Sequence, residues 1–342
     1  MKKCYVAQAY IKVSNAGSKP SQDFEKILRN NGFRNIGLPS ITVRNGRLWW
    51  LWCKLSSIIA SFRVPRNAMV AIQYPEPRHV IGDLFRKIKK RGAKTLVLVH
   101  DLNQLRGWEP LHQEILEDAD IILAHTPAMA KWLRANVAKP EAKITVLGVF
   151  DYLIDQKLKP SDETFVKPIK IAYAGRLDKS LFLEQLKYPS ERLRLMLFGN
   201  GLSENCKNNP CIEYQGACSP EELPSKLISS HFGLVWDGIS VTCCTGEMGN
   251  YLRYNAPYKL SSYLSAGLPV IVWSGMGMAE FVKQYGVGIC VDSLNDIPTK
   301  LDSLTAKDYS NMRGAAYTLA LKIRKGYFYT NAIQITSDGE NS

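Results

Sequence analysis

Apolar positions along the chain fall into short runs. Each run ends in a polar or glycine-containing turn, and stretches with helical spacing separate one run from the next. The first half carries MVAIQYP (69–75), TLVLVH (95–100), DIILAH (120–125) and ITVLGV (144–149). The second carries IKIAYAG (169–175), LRLMLFG (193–199), FGLVWD (232–237) and PVIVW (269–273). Short runs rich in β-branched residues that alternate with helices are the pattern of parallel strands joined by crossover helices. The predicted fold is α/β, with two doubly wound, Rossmann-like domains facing a cleft. KLKPSDETFVKPIK lacks either periodicity and marks a linker near 155–168. Residues 1–155 are expected to form the first domain and 166–305 the second, with a C-terminal helix within 305–330 returning to the first.

One segment fits neither strand nor linker. NGRLWWLWCKLSSIIASFR (45–63) is too interrupted by Arg and Lys to span a bilayer, which needs about 20 apolar residues. As a helix it sets Leu48, Leu51, Trp52, Leu55, Ile58 and Ile59 at spacings of three and four, the pattern of a stripe facing a core. Its tryptophans and the basic Arg44, Arg47, Lys54, Arg63 and Arg66 also suit a helix lying in a membrane interface, with Trp49 and Trp50 outside. The core-facing arrangement is the favoured one, because apolar stripes mostly face a core.

Composition is that of a globular protein, 46% apolar and 22% charged over 342 residues, long enough for two domains. Charge adds more. Lys and Arg number 44 against 31 acids, a net +13 that favours anionic partners such as nucleotides or lipid headgroups. Nucleic acid is not expected, because no basic stripe interleaved with aromatics occurs outside 44–66. The start, MKKCYVAQAYIKVS, lacks the apolar region and cleavage site of a secretory signal, so a cytoplasmic location is expected. The eight cysteines include no CxxC pair, and Cys206, Cys211 and Cys218 do not match the common zinc spacings; reduced structural thiols are expected, and no metal.

In doubly wound sheets, ligands bind beyond the carboxyl ends of strands, so residues directly after the runs are the candidates. After IAYAG, Gly175 allows close backbone approach and Arg176 offers a planar fork of donors suited to a diphosphate. Tyr214 precedes Gly216 at a similar end, and Asp237 closes FGLVWD. Lys259 falls in the first turn of a helix expected over about 259–265, where a cation conflicts with the helix dipole unless an anion is held there. In the first half, Asp101 follows TLVLVH. It could act as a general base toward a hydroxyl or cap the next helix with Gln104 as capping-box partner. His100 and Arg106 lie near enough to orient an acid or bind an anion. The loop SNAGSKPSQDFEKIL places Gly17, Ser18 and Lys19 before a helix capped by Ser21, where Ser18 could approach donor or acceptor.

With those residues in place, LVHDLNQLRG, VFDYL (149–153), IAYAGRL, FGLVWDG and GNYLRYNAPYKLSSYLSAGLPVIVW resemble GT-B glycosyltransferases. The similarity is to the bacterial group of O-antigen β-1,6-galactofuranosyltransferases and the glucosyltransferases of serine-rich repeat adhesins. It covers most of the chain. Where that group has an acid before Tyr251, a second Asn and a His before Lys259, this chain has Asn250, Ala256 and Tyr258.

The resemblance implies that Arg176, Tyr214, Asn255 and Lys259 contact uridine diphosphate, with Gly175, Asp237, Tyr251, Ser18 and Arg106 as further substrate-binding positions and Asp101 as the base. It implies an inverting, metal-independent transfer of galactofuranose or glucose from a UDP-sugar to a glycan hydroxyl, with no cofactor. The acceptor could be lipid-linked, with peripheral contact at the inner membrane face, and a homo-oligomer is compatible. The alternatives are a non-catalytic nucleotide-sugar-binding partner of a transferase, and a nucleotide-sugar epimerase or phosphorylase. The second pair would bring more acids and His into the cleft than the five His here suggest.

Overall fold

The computed structural model describes residues 1–7, 17–38, 46–75, 81–158 and 164–338. The chain divides into two compact units, Met1–Gly148 with Gly326–Ser342, and Val149–Lys325.

The first unit contains β1 (Lys3–Tyr5), α1 (Lys19–Asn30), β2 (Arg34–Asn35), α2 (Arg47–Arg63), β3 (Met69–Tyr74), α3 (Ile81–Lys90), β4 (Lys94–Val99), α4 (Glu114–Glu117), β5 (Ile121–Ala124), α5 (Pro127–Asn136) and β6 (Lys143–Val146). Its strands form one parallel sheet in the order β2-β1-β3-β4-β5-β6. Every residue of β3 is buried, as expected where helices cover both faces of a parallel sheet.

The second unit contains β7 (Ile169–Ala174), β8 (Leu193–Phe198), α6 (Glu204–Lys207), β9 (Ile212–Gly216), α7 (Leu223–Leu227), β10 (Phe232–Val235), α8 (Gly246–Tyr251), α9 (Tyr258–Ser265), β11 (Val270–Trp273), α10 (Ala279–Tyr285), β12 (Gly288–Val291), α11 (Ile297–Asp302) and α12 (Ala306–Ile323). Its parallel sheet reads β12-β11-β10-β7-β8-β9.

The expected boundaries shift at both ends. Residues 149–155, expected with the first domain, belong to the second unit. The backbone N–H of Tyr152 donates to Ile323 O, its hydroxyl donates to Pro220 O, and its ring stacks on Tyr258 at 4.9 Å. The C-terminal segment expected to return to the first domain is two helices with different allegiances. Helix α12, capped by a reciprocal Thr305 and Asp308 box, packs on α9 and stacks Tyr309 on Phe165 at 4.9 Å. Only α13 (Tyr327–Asp338) joins the first unit, with Tyr329 4.9 Å from Phe24 of α1 and Thr330 accepting from Asn31.

Helix α2 forms where expected but presents the opposite face. Cys53, Ser56, Ser57, Ala60 and Ser61 are buried, while Leu48, Leu51, Leu55, Ile58 and Phe62 are exposed. The small residues win the inner face because the chain beside them approaches closely: a Cβ on Gly37 would stand 2.8 Å from Ser56 Oγ, which accepts the Leu38 N–H at 2.9 Å.

Candidate active site

Numbered within its own unit, the second sheet has the order in which successive strands add on one side of β7 and then on the other, so the order reverses between β7 and β10. The carboxyl ends flanking that reversal form the crevice where doubly wound sheets take ligands. Tyr173 lies at the end of β7, and Trp236 and Asp237 follow β10. Lys259, in the first turn of α9, reaches both strands. Its ammonium donates to Asp237 Oδ1 at 2.8 Å, to the Tyr173 hydroxyl at 3.2 Å and to Trp236 O at 3.3 Å, and stands 4.7 Å from the Tyr173 ring centre.

A donor chain continues from there. With Lys259 donating to its oxygen, Tyr173 gives its own proton to Ser180 Oγ at 2.7 Å, and Ser180 donates to the carbonyl of Arg176 at 3.0 Å. Helix α9 is fixed to β7 by the Ala174 N–H, which donates to the Tyr263 hydroxyl at 2.7 Å. Gly233 of β10 makes room for that ring, since a Cβ there would lie 2.4 Å from it. Burial opposes charge on Lys259, but Asp237, Tyr173 and Tyr263 outweigh it and hold the ammonium above the ordinary lysine value. Burial pushes the Tyr173 phenol up, so it serves as a neutral hydrogen-bonding group. The anion that the sequence calls for beside Lys259 is thus present within the chain, as the Asp237 carboxylate. No side chain caps the first turn of α9, where Pro257 holds the N-cap position.

Three neighbouring loops are laced together. Gly175 donates its N–H to Phe198 O, Leu177 donates to Asn200 O, and Gly199 donates to Gly216 O, each at 3.0 Å. The Tyr214 hydroxyl donates to Gly199 O at 2.9 Å. Gly199 has φ +146, and a Cβ there would stand 1.8 Å from the carbonyl oxygen of Gly175, so no other residue fits. Arg176 is exposed and held by Asp178 through two bonds, Nε to Oδ1 at 2.8 Å and Nη2 to Oδ2 at 2.5 Å. Solvent screens an exposed pair of this kind, so it holds the guanidinium only weakly.

Asn255 is 8% exposed, and its Oδ1 has no hydrogen-bond partner among the described residues. A buried amide oxygen without a donor is unfavourable, which makes Asn255 a receptive acceptor three residues before α9 begins. Tyr251, expected at the substrate, is 1% exposed at the end of α8 and packs in the core.

In the first unit Asp101 follows β4, and its Oδ2 pairs with Arg106 Nη1 at 2.9 Å; the guanidinium also lies 4.2 Å from the Trp108 ring centre. The expected capping box does not form. Leu102 holds the N-cap of the short 3-10 turn Asn103–Arg106, and Gln104 donates instead to Gln113. Burial, with His125 beside it, holds the His100 pKa down at about 3, and the neutral ring donates Nε2–H to Gln73 Oε1 at 2.6 Å. Ser18, rather than Ser21, occupies the N-cap position of α1 and is buried, while Lys19 pairs with Asp23 at 3.0 Å. Positions 8–16 of the loop before it, and Arg44, lie outside the described residues. All eight cysteines are free of disulfides, and among the described residues no three His, Cys, Asp or Glu gather as a metal site.

The family models for the Glucosyltransferase 3-like N-terminal and C-terminal domains match residues 3–149 and 171–336. The β-1,6-galactofuranosyltransferase WbbI of Escherichia coli is 32% identical over 95% of both chains. This chain belongs to the Glucosyltransferase 3-like family. It is therefore a glycosyltransferase. Glucosyltransferase 3 of Streptococcus gordonii is 25% identical, over 90% of this chain and 89% of that one. Among solved structures, sucrose-phosphate synthase from Thermosynechococcus elongatus superimposes with a TM-score of 0.61 at 12% identity, covering 100% of this chain and 99% of the other. That likeness shows the GT-B fold with its two Rossmann-like domains.

Sequence reasoning on this family member missed Tyr173, Ser180, Tyr263 and Asp178. One signal was available. Lys259 and Tyr263 are four apart on one helix, which places both side chains on the same face.

Proposed function

We propose that this glycosyltransferase moves a hexosyl group, galactofuranose or glucose, from a UDP-sugar to a hydroxyl of a glycan acceptor, inverting to a β-linkage, in the synthesis of cell-surface polysaccharide or glycoprotein. The observation that carries this reading is Lys259 spanning β7 and β10 at the reversal of the second sheet, beside the uncapped first turn of α9. The names of the family relatives support the sugar class.

In this mechanism the acceptor oxygen attacks the anomeric carbon as the bond from that carbon to the diphosphate oxygen breaks. The acceptor proton passes to the Asp101 carboxylate. Negative charge accumulating on UDP is met by Lys259 and the first turn of α9, fixed donors that need little reorganisation, and by Arg176 as it exchanges Asp178 for the diphosphate. The uracil N–H or a ribose hydroxyl of the nucleotide has an acceptor available in Asn255 Oδ1. No metal is required for these steps.

Thermal melting with UDP in EDTA tests the binding half of this reading. At UDP about a hundredfold above its Kd, stabilisation of about 2.7 kcal/mol raises Tm by about 5–10 °C, equally with EDTA or with magnesium. A shift that appears only with a divalent cation contradicts the metal-free site.

A further inference from the structure

The exposed face of α2 is a surface built for something other than water. Leu48, Leu51, Leu55, Ile58 and Phe62 recur at alternating spacings of three and four and form one stripe about 21 Å long at 1.5 Å per residue. Leu48 is 77% and Phe62 75% exposed. Trp50, also exposed, borders the stripe with the Lys54 ammonium 5.0 Å from its ring centre. The helix cannot roll to bury this face, because its opposite side is locked by small residues at the close approach of Gly37 and Leu38 to Ser56. Contiguous apolar patches of this kind mark interaction sites.

Charge selects the partner. Arg47, Lys54 and Arg63 are exposed along α2, Arg66 follows it, and the helix has no Asp or Glu. The chain has no acid anywhere between Glu25 and Glu76. A second copy of this helix packed on the stripe would oppose cation to cation with no carboxylate to relieve it. An anionic phospholipid surface supplies both the acyl region for the leucines and phosphates for the basic rim. No helix among the described residues is long and apolar enough to cross a membrane, so α2 would lie on the bilayer rather than span it.

We propose that α2 is a docking helix for anionic phospholipid, seated with its Leu48–Phe62 stripe in the acyl boundary and its basic residues among the headgroups. Binding of the nucleotide in the second unit is not needed for this contact.

Co-sedimentation with vesicles of phosphatidylcholine alone, and with vesicles holding about one part phosphatidylglycerol to two of phosphatidylcholine, tests it without an activity readout. The full chain is expected to partition at least about tenfold more strongly to the anionic vesicles. A Leu51→Ser, Leu55→Ser, Phe62→Ser triple variant, altered only at exposed positions, keeps its melting temperature and loses binding to both vesicle types by about tenfold or more. An Arg47→Glu, Lys54→Glu, Arg63→Glu variant loses the preference for anionic lipid. Equal sedimentation of wild type and the serine variant overturns the proposal, as does equal affinity of wild type for the two vesicle types. A dimer of the wild type in gel filtration that the serine variant dissolves, without vesicle binding by either, also overturns it and assigns the face to a second copy.

Discussion

Lys259→Met is expected to abolish UDP binding and to lower turnover by at least about 100-fold, the scale seen when a fixed charge-stabilising donor is removed from a leaving group. It is also expected to destabilise the protein. The Asp237 carboxylate, only 23% exposed, loses its ion-pair partner, and the Tyr173 hydroxyl and Trp236 carbonyl each lose a donor. A partly buried charge left in this way costs about 1–3 kcal/mol. Adding Asp237→Asn to Lys259→Met removes the stranded charge, so the double variant should regain most of that stability without regaining UDP binding. Urea unfolding combined with UDP titration separates the two effects. If the double variant binds UDP like wild type, Lys259 is a structural partner of Asp237 and not a nucleotide ligand.

Asp101→Asn has the next largest expected effect, a fall in kcat of about 10²–10⁴ with the UDP-induced melting shift unchanged. The amide keeps the shape of the carboxylate and an oxygen for Arg106, so the loss reports proton acceptance rather than folding. Stopped-time measurement of UDP release under saturating donor and acceptor gives the number. Turnover near that of wild type makes Asp101 a partner of Arg106 only. Glu247, exposed in the first turn of α8, then becomes the leading carboxylate; Asp237 does not, because its charge is committed to Lys259.

The parallel strands were legible because residues such as those of β5, β10 and β11 are apolar on both faces, which leaves their runs uninterrupted. The strands not read as such, β1, β2 and β12, are three, two and four residues long, and β12 sits at a sheet edge with most of its residues half-exposed. Too few positions repeat there for any period to show. Helix α2 illustrates a different limit. Its periodicity defines two faces, one leucine-rich and one of Ser, Ala and Cys, but the choice between them depends on Gly37 and Leu38 approaching from another part of the chain.

The site divides in the same way. Lys259 and Arg176 could be picked out from strand ends and the helix start. The Tyr173 partner of Lys259 is 86 residues away, and the pairing of β7 with β10 at the reversal of strand order places it opposite, a property of topology rather than of local sequence. Likewise 149–155 read as the tail of the first domain until the packing of Tyr152 on Tyr258 ties it to the second unit.

The decisive measurement is UDP release by the full-length protein from UDP-glucose, UDP-galactose and UDP-galactofuranose, each with and without glucosyl- or N-acetylglucosaminyl-terminated acceptors. A UDP-sugar-dependent hexosyltransferase gives release that requires one donor of the three together with an acceptor, and loses it in Lys259→Met. UDP release from every donor at the same rate without acceptor, or release that survives Lys259→Met, would contradict the assignment of the second unit as the donor site.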